Sequence, residues 1–126
     1  MNQNTTVSNG EWTIMELLWV KPYTLMELVT ELNASVGWSK STVATMIRRM
    51  AQKGIVNYTE QGRTKLFTSA VTREEVSIQA TQSLLQRAYH GSIGLLVSTM
   101  VQENSLTAAD IAELSRILDE AKEETK

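Results

Sequence analysis

The chain has 126 residues, with 12 Lys/Arg against 14 Asp/Glu, 42% hydrophobic and 21% charged residues, one histidine and no cysteine. That length accommodates one domain, or a domain of roughly 70 residues with an appended segment. The composition excludes disulfides, a thiolate metal site and a histidine cluster. No apolar run reaches the ~20 residues of a membrane span and the first residues lack a secretory pattern, so the expected location is cytoplasmic.

Residues 1–7 are polar and expected to fray. Ser8 and Glu11 have capping-box spacing, and Trp12, Met15, Leu18 and Trp19 follow at helical intervals, predicting a first helix over residues 9–20. Lys21-Pro22 stops it, because proline lacks the donor and disfavours helical geometry before it. Thr24 and Glu27 repeat the capping box and open a second helix through Leu25, Leu28, Val29 and Leu32, ending near Asn33. Gly37 interrupts the chain. Ser39 is then a good N-cap for a third helix reaching about Lys53, with Gly54 placed for a left-handed end.

The third helix is the stretch the others present. Val43, Met46, Ile47 and Met50 form one apolar stripe, while Ser41, Thr42, Thr45, Arg48 and Arg49 occupy the other side. Short hydroxyls followed by paired arginines suit a helix that enters a DNA groove by its N-terminal end. From residue 38 to 65 there are six basic residues, Lys40, Arg48, Arg49, Lys53, Arg63 and Lys65, against the single acid Glu60. A basic patch within an acidic chain points to a polyanionic partner.

After Gly54 the period changes. Residues 55–59 and 64–69 are rich in β-branched and aromatic residues, and Glu60-Gln61-Gly62-Arg63 between them supplies a hairpin turn. Three helices and a hairpin is the order of a winged helix-turn-helix domain, with Arg63 and Lys65 placed to reach phosphates. The fold class is therefore mainly α with a small β-hairpin: a winged domain over residues 1–71, net charge +2, and a helical region over residues 72–126, net charge −4.

In the second part, Thr72 and Glu75 cap a helix reaching about Tyr89, where Gly91 breaks it. A largely apolar helix spans residues 92–103. Thr107 and Asp110 open a last one, followed by a solvated, charged tail over residues 119–126. Leu84, Leu85, Ile93, Leu96, Val97, Met100, Ile111, Leu114, Ile117 and Leu118 are too many apolar residues for three short helices to bury among themselves, so they are candidates for a homodimer interface.

The segments EWTIMELLW, GWSKSTVATMIRRMAQKGIV, EQGRTKLFTSAVTREE and SLTAADIAELSRILDEAK resemble the family of penicillinase, methicillin-resistance and copper-transport repressors, over about residues 8–122. The resemblance implies a homodimeric, sequence-specific transcriptional repressor on inverted repeats containing TACA and TGTA, of the kind that regulates beta-lactam resistance. Carried over by position, Ser39, Lys40, Ser41, Thr42, Thr45 and Arg49 face DNA from the third helix and Arg63 contacts it from the wing. Two features depart from the family. Ser98-Thr99-Met100-Val101 stands where penicillinase-type repressors carry a cleavable Asn-Phe bond, and the cysteine motif of copper-responsive members has no counterpart. Alternatives are a copper-responsive member lacking that motif, or a winged protein-interaction module.

Other residues have plainer readings. Trp12, Trp19 and the methionines read as core, Trp38 as packing at the start of the third helix, and His90 as a helix-end or surface residue. Lys53 either contacts DNA or answers the helix dipole, and Arg48 contacts DNA, phosphate or a neighbouring helix. No nucleophile or acid–base arrangement suggests an enzyme, and no cofactor or metal is expected.

Overall fold

The computed structural model describes residues 6–125, so the fraying expected of residues 1–5 lies outside the described residues. The elements in order are α1 (Asn9–Leu18), β1 (Tyr23–Thr24), α2 (Leu25–Val36), α3 (Lys40–Lys53), β2 (Val56–Gln61), β3 (Thr64–Ser69), α4 (Arg73–Tyr89), α5 (Ile93–Gln102) and α6 (Ala108–Glu124). They fall into two compact units, the first ending at Thr81 and the second starting at Gln82, with the division inside α4.

Each helix begins where a short polar side chain satisfies the free N–H groups of a first turn. Reciprocal capping boxes join Ser8 with Glu11, Thr24 with Glu27 and Thr107 with Asp110. Thr72 and Glu75 exchange the same pair of bonds at the start of α4, at 2.8 and 3.0 Å. Ser39 and Ser92 cap α3 and α5 with one bond each.

The ends differ from expectation in three places. α1 stops at Leu18, two residues early, with Trp19 as its cap ahead of Lys21-Pro22. α2 runs past Asn33 to Val36, because the left-handed position that closes it is Gly37, with φ of 73°. The Trp38 N–H then bonds back to the Leu32 carbonyl, and the Asn33 side chain donates to the Trp38 carbonyl. The expected tail is helical: α6 continues to Glu124, with Arg116 and Glu120 paired one turn apart. Val7, expected to fray, packs against the core.

The sheet has the order β1-β3-β2, all antiparallel. Tyr58 lies opposite Phe67 and Glu60 opposite Lys65, while Tyr23 pairs with Phe67 from the other side. The hairpin turns through Gly62 and Arg63, a shorter loop than the four residues expected. Gly62 has φ of 63°, and Arg63 is not among the residues of positive φ, the combination a type II′ turn uses.

The first unit closes over one core in which Ile14, Met15, Leu28, Val43, Met50 and Ile55 are fully inaccessible. Val76 joins that core, so the first turns of α4 belong to it. Trp12 and Trp19 pack edge-to-face at 5.4 Å, and both flank the core as expected. In the second unit, no described residue is buried. No helix among the described residues is long and apolar enough to cross a membrane.

Candidate nucleic-acid interface

α3 is held from one side only. Val43, Ile47 and Met50 are buried and Met46 is half-buried, which leaves Ser41, Thr42, Arg48, Arg49 and Gln52 exposed and Thr45 half-exposed. At its start, the Ser39 hydroxyl accepts the Thr42 N–H at 3.2 Å and donates to the Thr42 hydroxyl at 3.1 Å, with the Ser41 hydroxyl also 3.1 Å away. Ser39 is thus first a cap, and it links three small hydroxyls into one polar tip.

Helix and hairpin together enclose a cleft of about 700 Å³. Lys40 and Arg48 reach it from α3, and Arg63 and Lys65 from the hairpin, so four of the predicted cations converge. Arg49, Thr42 and Thr45 do not line it; by helical rotation they lie further round α3. The basic surface therefore has two parts, a cationic cleft beside the wing and an adjoining ridge carrying the hydroxyls and Arg49.

Lys65 is positioned by an aromatic ladder. Its ammonium lies 4.4 Å from the centre of the Tyr58 ring, and Tyr58 stands 5.8 Å from Phe67. Tyr58 and Gln52 were not singled out from sequence, yet both line the cleft. Gln52 carried a usable signal, since it follows Arg48 by one helical turn. Tyr58 carried a weaker one, as its direction depends on strand register.

Lys53 is engaged inside the fold. Its ammonium is 2.7 Å from the Glu11 carboxylate, with both side chains largely covered, so it joins the end of α3 to the start of α1 and is not a free DNA contact. A second tie fixes the start of α4. The Trp19 indole donates to the Val71 carbonyl at 3.0 Å, and the Arg73 guanidinium lies over the Trp19 ring at 4.7 Å while pairing with both carboxylate oxygens of Glu16. His90 sits exposed just past α4 with φ of 52°.

Of the predicted association residues, Leu84, Ile93, Met100, Ile111, Ile117 and Leu118 are exposed. Leu85, Leu96, Val97 and Leu114 are half-buried.

A helical domain with a three-stranded wing and a basic exposed recognition helix defines the class: a winged helix-turn-helix DNA-binding protein. The family model described as penicillinase repressor matches residues 7–120, and the chain belongs to that family of DNA-binding transcriptional repressors. It is 28% identical to a penicillinase repressor of Bacillus licheniformis over 127 residues, covering 100% of this chain and 99% of the relative. It is 25% identical to the methicillin resistance regulatory protein MecI of Staphylococcus aureus over 119 residues, 94% and 97% of the two chains. Among solved structures, the DNA-binding domain of the repressor BlaI superimposes with a TM-score of 0.54 at 26% identity, covering 60% of this chain and 93% of that one.

Proposed function

We propose that the chain represses transcription as a homodimer on an inverted repeat with TACA and TGTA half-elements, using residues 1–71 to bind DNA and residues 72–126 to associate. In this reading α3 enters the major groove. Ser39, Lys40, Ser41, Thr42, Thr45 and Arg49 meet base edges and phosphates, Arg48 meets phosphate beside the wing, and Arg63 and Lys65 anchor the wing to the backbone. The observation that carries it is the convergence of Lys40, Arg48, Arg63 and Lys65 beside an α3 face free of acids.

Pairing through the second unit is supported by its exposed apolar side chains and by the lack of any buried one among its described residues. So small a helical unit gains little stability alone, and a second copy supplies the missing apolar contacts. Release from DNA in this reading does not use an Asn-Phe cleavage site, since Phe67, the one phenylalanine, is buried in β3.

The test is binding to a TACA/TGTA inverted-repeat duplex and to a scrambled duplex at two salt concentrations, with stoichiometry. Preference for the repeat, two chains per site and steep loss with salt are expected. Equal, salt-insensitive binding to both would remove this reading in favour of a protein-interaction module.

A further inference from the structure

The cleft between α3 and the wing has a property that DNA binding does not use. Besides its four cations, its lining is largely apolar: Leu25 and Met26 at the start of α2, Ala44, Ile47 and Ala51 along α3, and Phe67 from β3. A sugar-phosphate backbone would engage the cations and make no use of such apolar groups. Met26, 53% exposed overall, lines the cleft together with Arg48 and Lys65. The volume of about 700 Å³ lies within the ~300–1,000 Å³ of small-molecule sites, which likewise combine apolar walls with a few polar groups.

We propose that this cleft binds an amphiphilic organic anion, an apolar body carrying one carboxylate. Charge complementarity selects the class. Lys40, Arg48, Arg63 and Lys65 line the cleft and neither Asp nor Glu does, so a carboxylate is drawn to these cations while a cationic head is repelled. The apolar body covers Met26, Ile47 and the Tyr58–Phe67 pair, and Gln52 and Thr64 supply neutral hydrogen-bonding groups beside the carboxylate. Ala44 and Ala51 keep the α3 wall low enough to admit it. Because the ligand occupies the cations assigned to phosphate, it competes with DNA, a consequence that rests on the DNA-binding reading.

Decanoate, below its micelle concentration, is the probe. It is titrated into the full chain labelled at methionine methyl groups and followed by NMR. Saturable shifts are expected at Met26, with Met100 of α5 unmoved at the same concentrations. Decanol, of equal chain length without charge, is expected to bind at least about tenfold more weakly, the scale of one charge-assisted contact. Ala51→Phe, which fills the cleft, and Arg48→Ala, at an exposed position, should each weaken decanoate by about tenfold. An unmoved Met26, equal shifts at Met100, or decanol binding as tightly as decanoate overturns the site. In a second arm, decanoate is expected to raise the apparent Kd of an operator duplex. No effect on a duplex that the protein does bind overturns the competition. Failure to bind any duplex overturns the DNA reading, while a saturable Met26 shift still supports the ligand site.

Discussion

The Lys53 ammonium lies 2.7 Å from the Glu11 carboxylate, joining the last turn of the recognition helix to the first turn of α1 across 42 residues of sequence. Glu11 also accepts the Ser8 N–H, so one carboxylate closes the cap of α1 and holds the end of α3. Both side chains are mostly covered, which makes this pair worth more than a surface ion pair. Lys53→Met should cost about 1–2 kcal/mol in urea unfolding, with its charge removed and much of its stem retained.

The same pair predicts a pH dependence. Burial raises the Glu11 pKa, but the hydrogen bonds from Lys53 and the Ser8 backbone more than reverse this, leaving it below the ordinary 4.5. Hydrogen bonding from Arg73 lowers Glu16 similarly. With folded pKa values below the unfolded ones, the unfolded chain binds more protons in acid. The contribution is then complete above the unfolded value and is lost as pH falls through the folded values. Unfolding free energy should decline below about pH 5, and Glu11→Gln should flatten that decline. Parallel pH curves for the parent and Glu11→Gln would show that the pair is not coupled to folding.

Gly62 tests the wing independently of any side-chain contact. Beyond Gly62 and its two chain neighbours, no atom lies within 4 Å of where a Cβ would stand, so Gly62→Ala acts through the positive φ of 63°. The expected cost is about 1–2 kcal/mol. Circular dichroism melts should show a small drop in Tm. Binding should fall by more than stability alone explains, because the strain moves Arg63. Unchanged affinity would mean that the wing turn does not contribute to binding.

The proposed association surface makes a prediction that runs through pairing and not through the packing of the single chain. Ile93 and Leu118 are 65% and 60% exposed, so changing either to Glu leaves the isolated chain's packing nearly undisturbed. If the second unit pairs, Leu118→Glu should shift sedimentation from dimer to monomer and make Tm lower and less dependent on concentration. A variant that sediments as the parent does removes Leu118 from the interface.

Much of this was legible locally. The four capping boxes are four-residue patterns, and each helix start they mark is where the sequence placed it. The α3 stripe of Val43, Met46, Ile47 and Met50 follows from periodicity alone, and Gly54 closes the helix with φ of 92°. Long-range partners were not legible. β1 is two residues long and exists because Tyr23 finds Phe67 across the fold, so no local period announces it. Lys53 looked like any basic residue near a helix end, and only the meeting of α1 with α3 shows its use. Gly37, in turn, outweighed Asn33 as the end of α2 because it takes the left-handed cap without steric cost.

If α3 and the wing bind DNA as proposed, the two-part basic surface separates two kinds of contact. Arg48, Arg63 and Lys65 border the cleft beside the wing, where a phosphate backbone would pass; Arg49 lies on the ridge with Ser41, Thr42 and Thr45, where base edges would be read. Each phosphate contact contributes about 0.9 to the slope of log affinity against log salt. Lys65→Ala should therefore weaken operator and scrambled duplexes alike and reduce that slope by about one. It should also cost a few tenths of a kcal/mol in stability through loss of the Tyr58 contact. Arg49→Ala should act unequally, weakening the operator by about 1–3 kcal/mol and the scrambled duplex much less, so that their ratio falls. Both variants keep the buried face of α3 intact and should melt within a few degrees of the parent, which ties any loss to contacts with DNA. If Arg49→Ala instead weakens both duplexes equally and lowers the salt slope, Arg49 is a phosphate contact, and base reading falls to the hydroxyls of the first turn.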